Sequence, residues 1–236
     1  MTKFMIKDDF WELFPEAKIG IILCKDIKNQ YDHDEEYYAT LLKEYGKEGL
    51  TYLNLPEFSQ NDVVRVWREA YQKFKTKKGA RSSIEALLKR INKGDEIRTI
   101  NPLVDLYNAI SLRYALPCGG EDIDKFEGDV LLTKAKGDED FVTLGSNEAE
   151  SPYEGEIVYK DDAGVICRCW NWREAVRTML TEDTHNAFLC IECVDMARVH
   201  DFEEALKELA ELVQTNLGGH TKIEIMDKDH THIEIN

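Results

Sequence analysis

The sequence predicts an α+β fold, on three observations. Apolar residues recur at helical spacing through most of the first half of the chain. From Gly128 onward the pattern changes to short, alternating, strand-length runs. Helices and strands are thereby segregated rather than interleaved, which disfavours a βαβ-wound sheet.

The elements follow in order. Ile19 to Cys24, inside Lys18–Ile27, is an apolar run flanked by charge and reads as a buried strand. Asp32 with Glu35 has the spacing of a capping box. Tyr38, Leu41, Leu42 and Tyr45 give the helix that follows its apolar stripe, and Gly46 is its expected end. Ser59 opens a second helix, with Val63, Trp67, Ala70, Tyr71 and Phe74 on one side. Ser82 and Glu85 repeat the capping-box spacing ahead of Ile84, Leu87, Leu88 and Ile91, and Gly94 stops that helix. Asn101 and Pro102 make a sharp start for Leu103, Leu106, Ile110 and Tyr114, because Asn caps and Pro suits the first turn. Pro117 closes the segment, and Leu116 to Asp122 reads as a helix-ending loop.

Strands are expected at Asp129–Ala135, Asp140–Leu144, Glu156–Tyr159, Val165–Cys169 and Ala187–Val194. Asp201 caps a helix whose face is Phe202, Leu206, Leu209 and Val213, ending at Gly218 and Gly219. Lys222–Met226 and Thr231–Ile235 alternate like a hairpin around Lys228 and Asp229. With no repeat and no linker in view, 1–236 is expected to form one domain: a strand and helices over 1–80, a central portion over 81–217 and a hairpin over 218–236.

Composition excludes several classes. The 236 residues are 43% hydrophobic and 32% charged, which is globular rather than disordered. No run approaches the roughly 20 apolar residues of a membrane span. Met1 to Lys7 has no export-like apolar core, and the six cysteines are expected to be reduced thiols of a cytoplasmic protein. A net charge of −16 excludes a general nucleic-acid coat, and no DNA partner is expected. The charge is uneven, however. Arg65 to Arg98 holds 11 Lys or Arg against 4 acids, a basic strip on an acidic body that can place a phosphate backbone. Lys75, Lys77, Lys78 and Arg81, at a helix start, are its most suggestive part.

The common nucleotide and hydrolase motifs are absent. Cys167 with Cys169, and Cys190 with Cys193, fall on expected strands, where they read as small buried hydrophobes rather than zinc ligands; no metal and no cofactor is expected. His230 with His232 reads as a solvated pair, and His185 as part of a polar turn. Two stretches look costly unless used. Gly119 and Gly120 let a backbone approach a ligand and aim N–H groups at it. Trp170, Asn171, Trp172 and Arg173 combine aromatic walls with polar groups, as a small-ligand pocket needs.

Arg98, Asn101, Asp105, Asn108, Pro117 and Asp122 stand in the spacing R-x-I-N-x-V-V-D-x-T-N-Y followed by G-Q-P-x-H-A-F-D. That pattern resembles the B3/B4 domain, the tRNA-editing domain of the phenylalanyl-tRNA synthetase β chain. The stretch from Thr181 to Cys193 resembles the closing T-x-x-x-L-L-E-C strand of that family. With no synthetase core, and with W-N-W-R at Trp170 to Arg173, the chain is similar to the free-standing members.

The resemblance implies a three-layer arrangement with an unusual β-sandwich and flanking helices. It also implies hydrolysis of the ester of a mischarged tRNA, with the charged acceptor end and its amino-acid moiety as partners. Glu192 stands where the family's side-chain-reading glutamate does; Cys190 is the other residue the register admits. By the same resemblance Asn101, Asn108 and Asn171 orient water or the α-amino group. Asp122 anchors the ammonium or is structural, and Pro117, Trp170, Trp172 and Arg173 shape the pocket. Lys75, Lys77, Lys78 and Arg81 hold the acceptor end. Tyr107 and Gly119 replace the family's threonine and histidine, and two tryptophans fall where that pocket is glycine-rich. This implies a reduced cavity suited to a small hydroxylated side chain. Cys118 has no base beside it in sequence, so no covalent intermediate is expected.

Overall fold

Residues 2–143, 145–146 and 148–235 are described by a computed structural model of the chain. In chain order these residues form β1 (Lys3–Ile6), α1 (Asp8–Trp11), β2 (Lys18–Lys25), α2 (Glu35–Leu50), α3 (Asp62–Tyr71), α4 (Ser83–Asn92), α5 (Pro102–Tyr114) and β3 (Cys118–Asp122). Then come β4 (Val130–Lys134), β5 (Ile157–Asp161), β6 (Gly164–Arg168), β7 (Arg173–Glu174), β8 (Ala187–Cys193), α6 (Val199–Leu217), β9 (His220–Met226) and β10 (His232–Glu234). The fold is mixed α+β, as expected.

One sheet has the order β10-β1-β4-β5-β6-β7 and the other β3-β8-β2-β9. The alternation of β2 shows how they stack. Ile19, Ile21 and Leu23 turn toward the first sheet and share a core with Phe4, Leu132 and Ile157. Ile22 and Cys24 turn the other way, onto Leu103 and Leu106 of α5 and Phe202 and Leu206 of α6. The result is sheet on sheet on helix, with α2 packed behind α5 through Leu42, Ala109 and Leu112.

Several helix ends differ from expectation. α2 begins at Glu35, and neither Asp32 nor Asp34 caps it through a side chain. It also runs straight through Gly46 to Leu50. A Cβ on Gly49 would sit 2.6 Å from the Leu112 carbonyl oxygen, so that glycine permits close contact with α5 rather than ending the helix. Ser59 lies in a single 3-10 turn, and α3 starts after Asn61, whose carboxamide oxygen accepts the Leu55 N–H at 2.8 Å. Ser82 precedes α4 but makes no cap bond, and Glu85 is drawn away by Arg68 at 2.6 and 3.1 Å. Asn101 does cap α5, accepting from Val104 N–H at 3.1 Å. α6 starts at Val199, and Asp201 pairs with Arg198 instead of capping.

Three other expectations are corrected. Cys118–Asp122 is a strand, not a loop, because β8 offers it a full antiparallel partner. Residues 140–143 form no strand: Asp140 and Phe141 carbonyls accept from Val165 and Glu150 N–H groups outside any ladder. Leu144 lies outside the described residues. The C-terminal strands turn tightly at Asp227–His230 but then part company. β9 adds to β2 and β10 adds to β1, each completing a different sheet. β1 and α1 are too short to carry a readable period.

Candidate functional site

Strand alternation builds the site. Phe188, Cys190 and Glu192 of β8 look into the sandwich, and Gly119 and Glu121 of β3 share that face because they pair with Cys190 and Phe188. From the opposite sheet come Tyr159, its partner Cys167, and Glu174 opposite Cys167. Between them lies a mostly apolar cavity of about 290 Å³, closed by α4 and by the turn at Trp170–Trp172.

A hydrogen-bonded chain crosses its floor. The Tyr71 hydroxyl donates to Asn171 Oδ1 at 2.8 Å, and Asn171 Nδ2 donates to Glu192 Oε2 at 2.5 Å. The Tyr159 hydroxyl donates to Glu192 Oε1 at 2.6 Å and lies 3.3 Å from Cys190 Sγ. Glu192 and Cys190, the two residues the sequence register admits, are thus neighbours on one face.

Burial pushes the Glu192 carboxyl up to about 7, against the opposing hydrogen bonds from Tyr159 and Asn171. The Trp170 indole N–H adds to that opposition without reaching hydrogen-bond geometry. Glu174 is also pushed up to about 7, by burial first, with the Gly120 N–H opposing and Glu192 adding. Glu121 is held well above the usual carboxylate range by burial and by the nearby Glu174.

The turn that aims Asn171 is strained. Cys169 and Trp170 have φ of 46° and 66°, a conformation costing non-glycine residues roughly 1–3 kcal/mol each. Packing holds it there. The Trp170 ring lies 5.0, 4.6 and 5.0 Å from Phe10, Phe14 and Trp67, and Ser83 N–H donates to the Asn171 carbonyl at 3.1 Å. Trp170 belongs to a core aromatic cluster and also lines the cavity, while Trp172 lines both the cavity and the space beside it, with the Arg173 guanidinium 4.9 Å from its ring centroid.

Gly119 and Gly120 act through space rather than as a loop. Glu192 N–H donates to the Pro117 carbonyl, and Asp122 N–H points outward to Thr178. By strand alternation Gly120 N–H also points outward, toward Glu174, while Gly119 N–H is directed at β8 and is not free for a ligand. A Cβ on Gly119 would project into the cavity, 3.1 Å from Glu174 Oε1. One on Gly120 would strike Leu189 and Leu180 at 2.6 and 2.9 Å on the helix side.

Asn108 lines the cavity, and its side chain makes no hydrogen bond to any described residue. Asn101, Pro117 and Asp122 do not line it. Asn101 caps α5 and accepts from Asn29 Nδ2 at 3.0 Å, and the Pro117 carbonyl serves the β3–β8 ladder. Asp122 accepts from the Thr184 hydroxyl at 2.8 Å and Asp124 N–H at 3.0 Å, so its carboxylate is engaged within the protein. Cys167 and Cys190 join Cys118 at the cavity wall, and burial raises the pKa of all three. All six cysteines are free, and among the described residues no histidine lines the cavity. Among the described residues no His, Cys, Asp or Glu group is arranged to hold a metal ion.

Beside the cavity runs a groove of about 690 Å³ whose cationic wall includes Lys77, Lys78, Arg81, Lys89, Arg90, Lys93 and Arg173. Ala86, Arg90 and Trp172 line both spaces. Lys77 is paired with Glu150, whereas Lys78, Arg81, Lys89, Arg90, Lys93 and Arg173 form no ion pair among the described residues. Lys75 lies outside the groove, in an adjoining hollow over the Tyr153 ring.

The sequence profile of the B3/4 domain matches residues 66–215, more than half of the chain. The chain belongs to the B3/4 domain family. Its fold is similar to the crystal structure of an N-terminal fragment of the phenylalanyl-tRNA synthetase β-subunit from Pyrococcus horikoshii. The TM-score is 0.50 at 13% identity, covering 99% of this chain and 54% of that one. The chain therefore spans about half the length of that fragment. No curated protein matches it. Among the described residues no helix is long and apolar enough to cross a membrane.

Sequence reading of this B3/4 chain misses Tyr71, Glu121, Tyr159 and Glu174. Tyr71 and Tyr159 sit within apolar stripes and read as core. Glu174 directly follows the Trp170–Arg173 signature, and a lone acid there is its only signal.

Proposed function

We propose that this B3/4 chain is a free-standing, cytoplasmic aminoacyl-tRNA deacylase that hydrolyses the ester of mischarged tRNA in trans. One observation carries the reading. A cavity sized for an amino-acid side chain, floored by Glu192, Asn171 and Tyr159, shares its Arg90–Trp172 threshold with a groove in which six cations form no ion pair among the described residues. The groove takes the phosphates of the acceptor end, the threshold takes the terminal ribose, and the cavity takes the amino acid. Family membership and the likeness to a synthetase fragment support the assignment of the nucleic acid as tRNA.

Glu192 reads a hydroxyl on the side chain, because a buried polar group rejects an analogue that leaves it unpaired. Trp170 and Trp172, which line the cavity, favour a small side chain, and Glu192 favours one that carries a hydroxyl. The thiols stay protonated, so water attacks directly, oriented by the unengaged carboxamide of Asn108. Asn171 holds Glu192 in place.

The test is release of amino acid from a panel of mischarged tRNAs under multiple turnover, with Asn171→Ala alongside. Release by wild type and a loss of roughly 100-fold in the variant are expected. Absence of release above the uncatalysed rate, with tRNA still bound, would establish instead a non-catalytic module that holds charged tRNA or its amino acid. The replacement of the family's threonine and histidine by Tyr107 and Gly119 favours that second reading.

A further inference from the structure

The cavity contains more carboxyl groups than side-chain reading requires. Glu192 is engaged by Tyr159 and Asn171 at the floor. Glu174 and Glu121 stand outside that hydrogen-bonded chain, on β7 and β3, and Glu174 lies close enough to Glu121 to raise its pKa. Neither forms an ion pair with any Lys or Arg among the described residues. The guanidinium near Glu121, that of Arg177, is committed to Asp161 at 2.7 and 3.0 Å.

Glu121, only 6% exposed, lines the cavity, and its Oε2 is buried short of hydrogen-bond geometry, with the likewise unpaired Thr178 hydroxyl as its nearby polar group. Buried acceptors of this kind are otherwise satisfied, and leaving one unmade costs about 1–3 kcal/mol. Gly119 keeps the space in front of Glu174 open, since a Cβ there would lie 3.1 Å from its Oε1. A ligand cation placed in the open space that the two carboxyls line would favour their ionised forms and pair with them, and no protein cation takes that place. The aminoacyl ester of the proposed function has one cation common to every substrate, its α-ammonium.

We propose that Glu174, backed by Glu121, is the ammonium seat of this site, so that only aminoacyl esters with a free α-amino group are bound. The inference rests on the aminoacyl-tRNA reading and adds a substrate rule to it. N-acylated esters, formylated or peptidyl, are excluded whatever their side chain, because acylation removes the charge that pairs with the two carboxyls and adds bulk in front of them. Glu174 takes the place that the sequence suggested for Asp122, which is occupied by Thr184 and Asp124.

The test uses a non-hydrolysable mimic of the charged terminus, 3′-(L-threonylamino)-3′-deoxyadenosine, and its N-acetyl derivative, titrated calorimetrically into the full chain. Acetylation is expected to weaken binding at least ~10-fold in wild type, the equivalent of ~1.4 kcal/mol. Glu174→Gln, which keeps the shape of the neutral acid, is expected to reduce that ratio below about twofold, and Glu121→Gln to reduce it partly. Near-ultraviolet circular dichroism confirms that each variant is folded, and Glu174→Ala provides a second, smaller side chain. Equal binding of the two mimics by wild type overturns the seat. So does full discrimination in both Glu174 variants, or no binding of the free-amine mimic. Discrimination by wild type, lost in Glu174→Gln, with no tRNA deacylated, leaves the seat standing and removes the hydrolase reading alone.

Discussion

Glu192 is held as an acid by its surroundings, and this has a consequence for stability. Its carboxyl rises from 4.5 to about 7 on folding, chiefly because burial penalises the anion. The native state therefore keeps a proton that the unfolded chain releases. Stability from this group is complete below about pH 4.5 and is lost as pH rises through about 7, by an amount on the order of 3 kcal/mol. Glu174 acts in the same direction over the same window. Denaturant midpoints between pH 5 and pH 8 should fall in wild type and fall clearly less in Glu192→Gln; identical slopes would show that Glu192 does not titrate in this window. Asn171 sits on the same hydrogen-bonded chain, but its work is geometric. Two left-handed residues before it, Cys169 and Trp170, are held in place by an aromatic cluster rather than by glycine.

At the scale of elements, glycines mark where segments touch. α2 and α5 approach so closely that a methyl group on Gly49 would press on the Leu112 carbonyl, whereas one on Gly46 would make ordinary contacts, with Ile91 at 3.7 Å and Leu112 at 4.0 Å. Gly49→Ala should therefore destabilise by about 1–3 kcal/mol, while Gly46→Ala should be neutral or slightly stabilising through helix propensity. Equal denaturation midpoints for the two variants would contradict this packing account. The contrast also explains what the sequence could reveal. The strands Lys18–Lys25 and Ala187–Cys193 and the start at Asn101–Pro102 carry their own local signals of apolar run, cap and proline. Gly46 and Ser82 carry signals too, but tertiary partners override them: α5 for the glycine, and Arg68 for the Glu85 that Ser82 needs. Cys118–Asp122 reads as a loop because its partner strand lies about 70 residues away, and a glycine pair has no period to reveal a ladder.

For the whole molecule, charge is divided between a strongly acidic body and one cationic groove. Replacing Lys78, Arg81, Lys89 and Arg90 together by alanine should weaken tRNA binding at low salt. It should also flatten the dependence of log affinity on log salt by roughly 0.7–0.9 for each phosphate that the protein no longer neutralises. An unchanged slope would place the acceptor end elsewhere. Lys75→Ala, outside the groove, should change the slope least. The sequence discloses this strip as an excess of cations between Arg65 and Arg98. It does not disclose that Arg173, far along the chain, completes the wall, since only the turn after β6 brings it there.

The threshold of Arg90 and Trp172 divides the site into two parts that descend from different segments. Most cations of the groove come from α4 and the residues just before it. The polar groups that line the cavity come mostly from β3, β5, β7 and β8. Mutation can therefore act on one without the other. Under the proposed function, a lineage that exchanges Glu192 or its strand neighbours would acquire a new amino-acid preference in a few steps, while its grip on the nucleic acid would be inherited intact. Duplicated copies of such a gene have a short path to complementary specificities, each keeping the same handle and changing only what the cavity accepts.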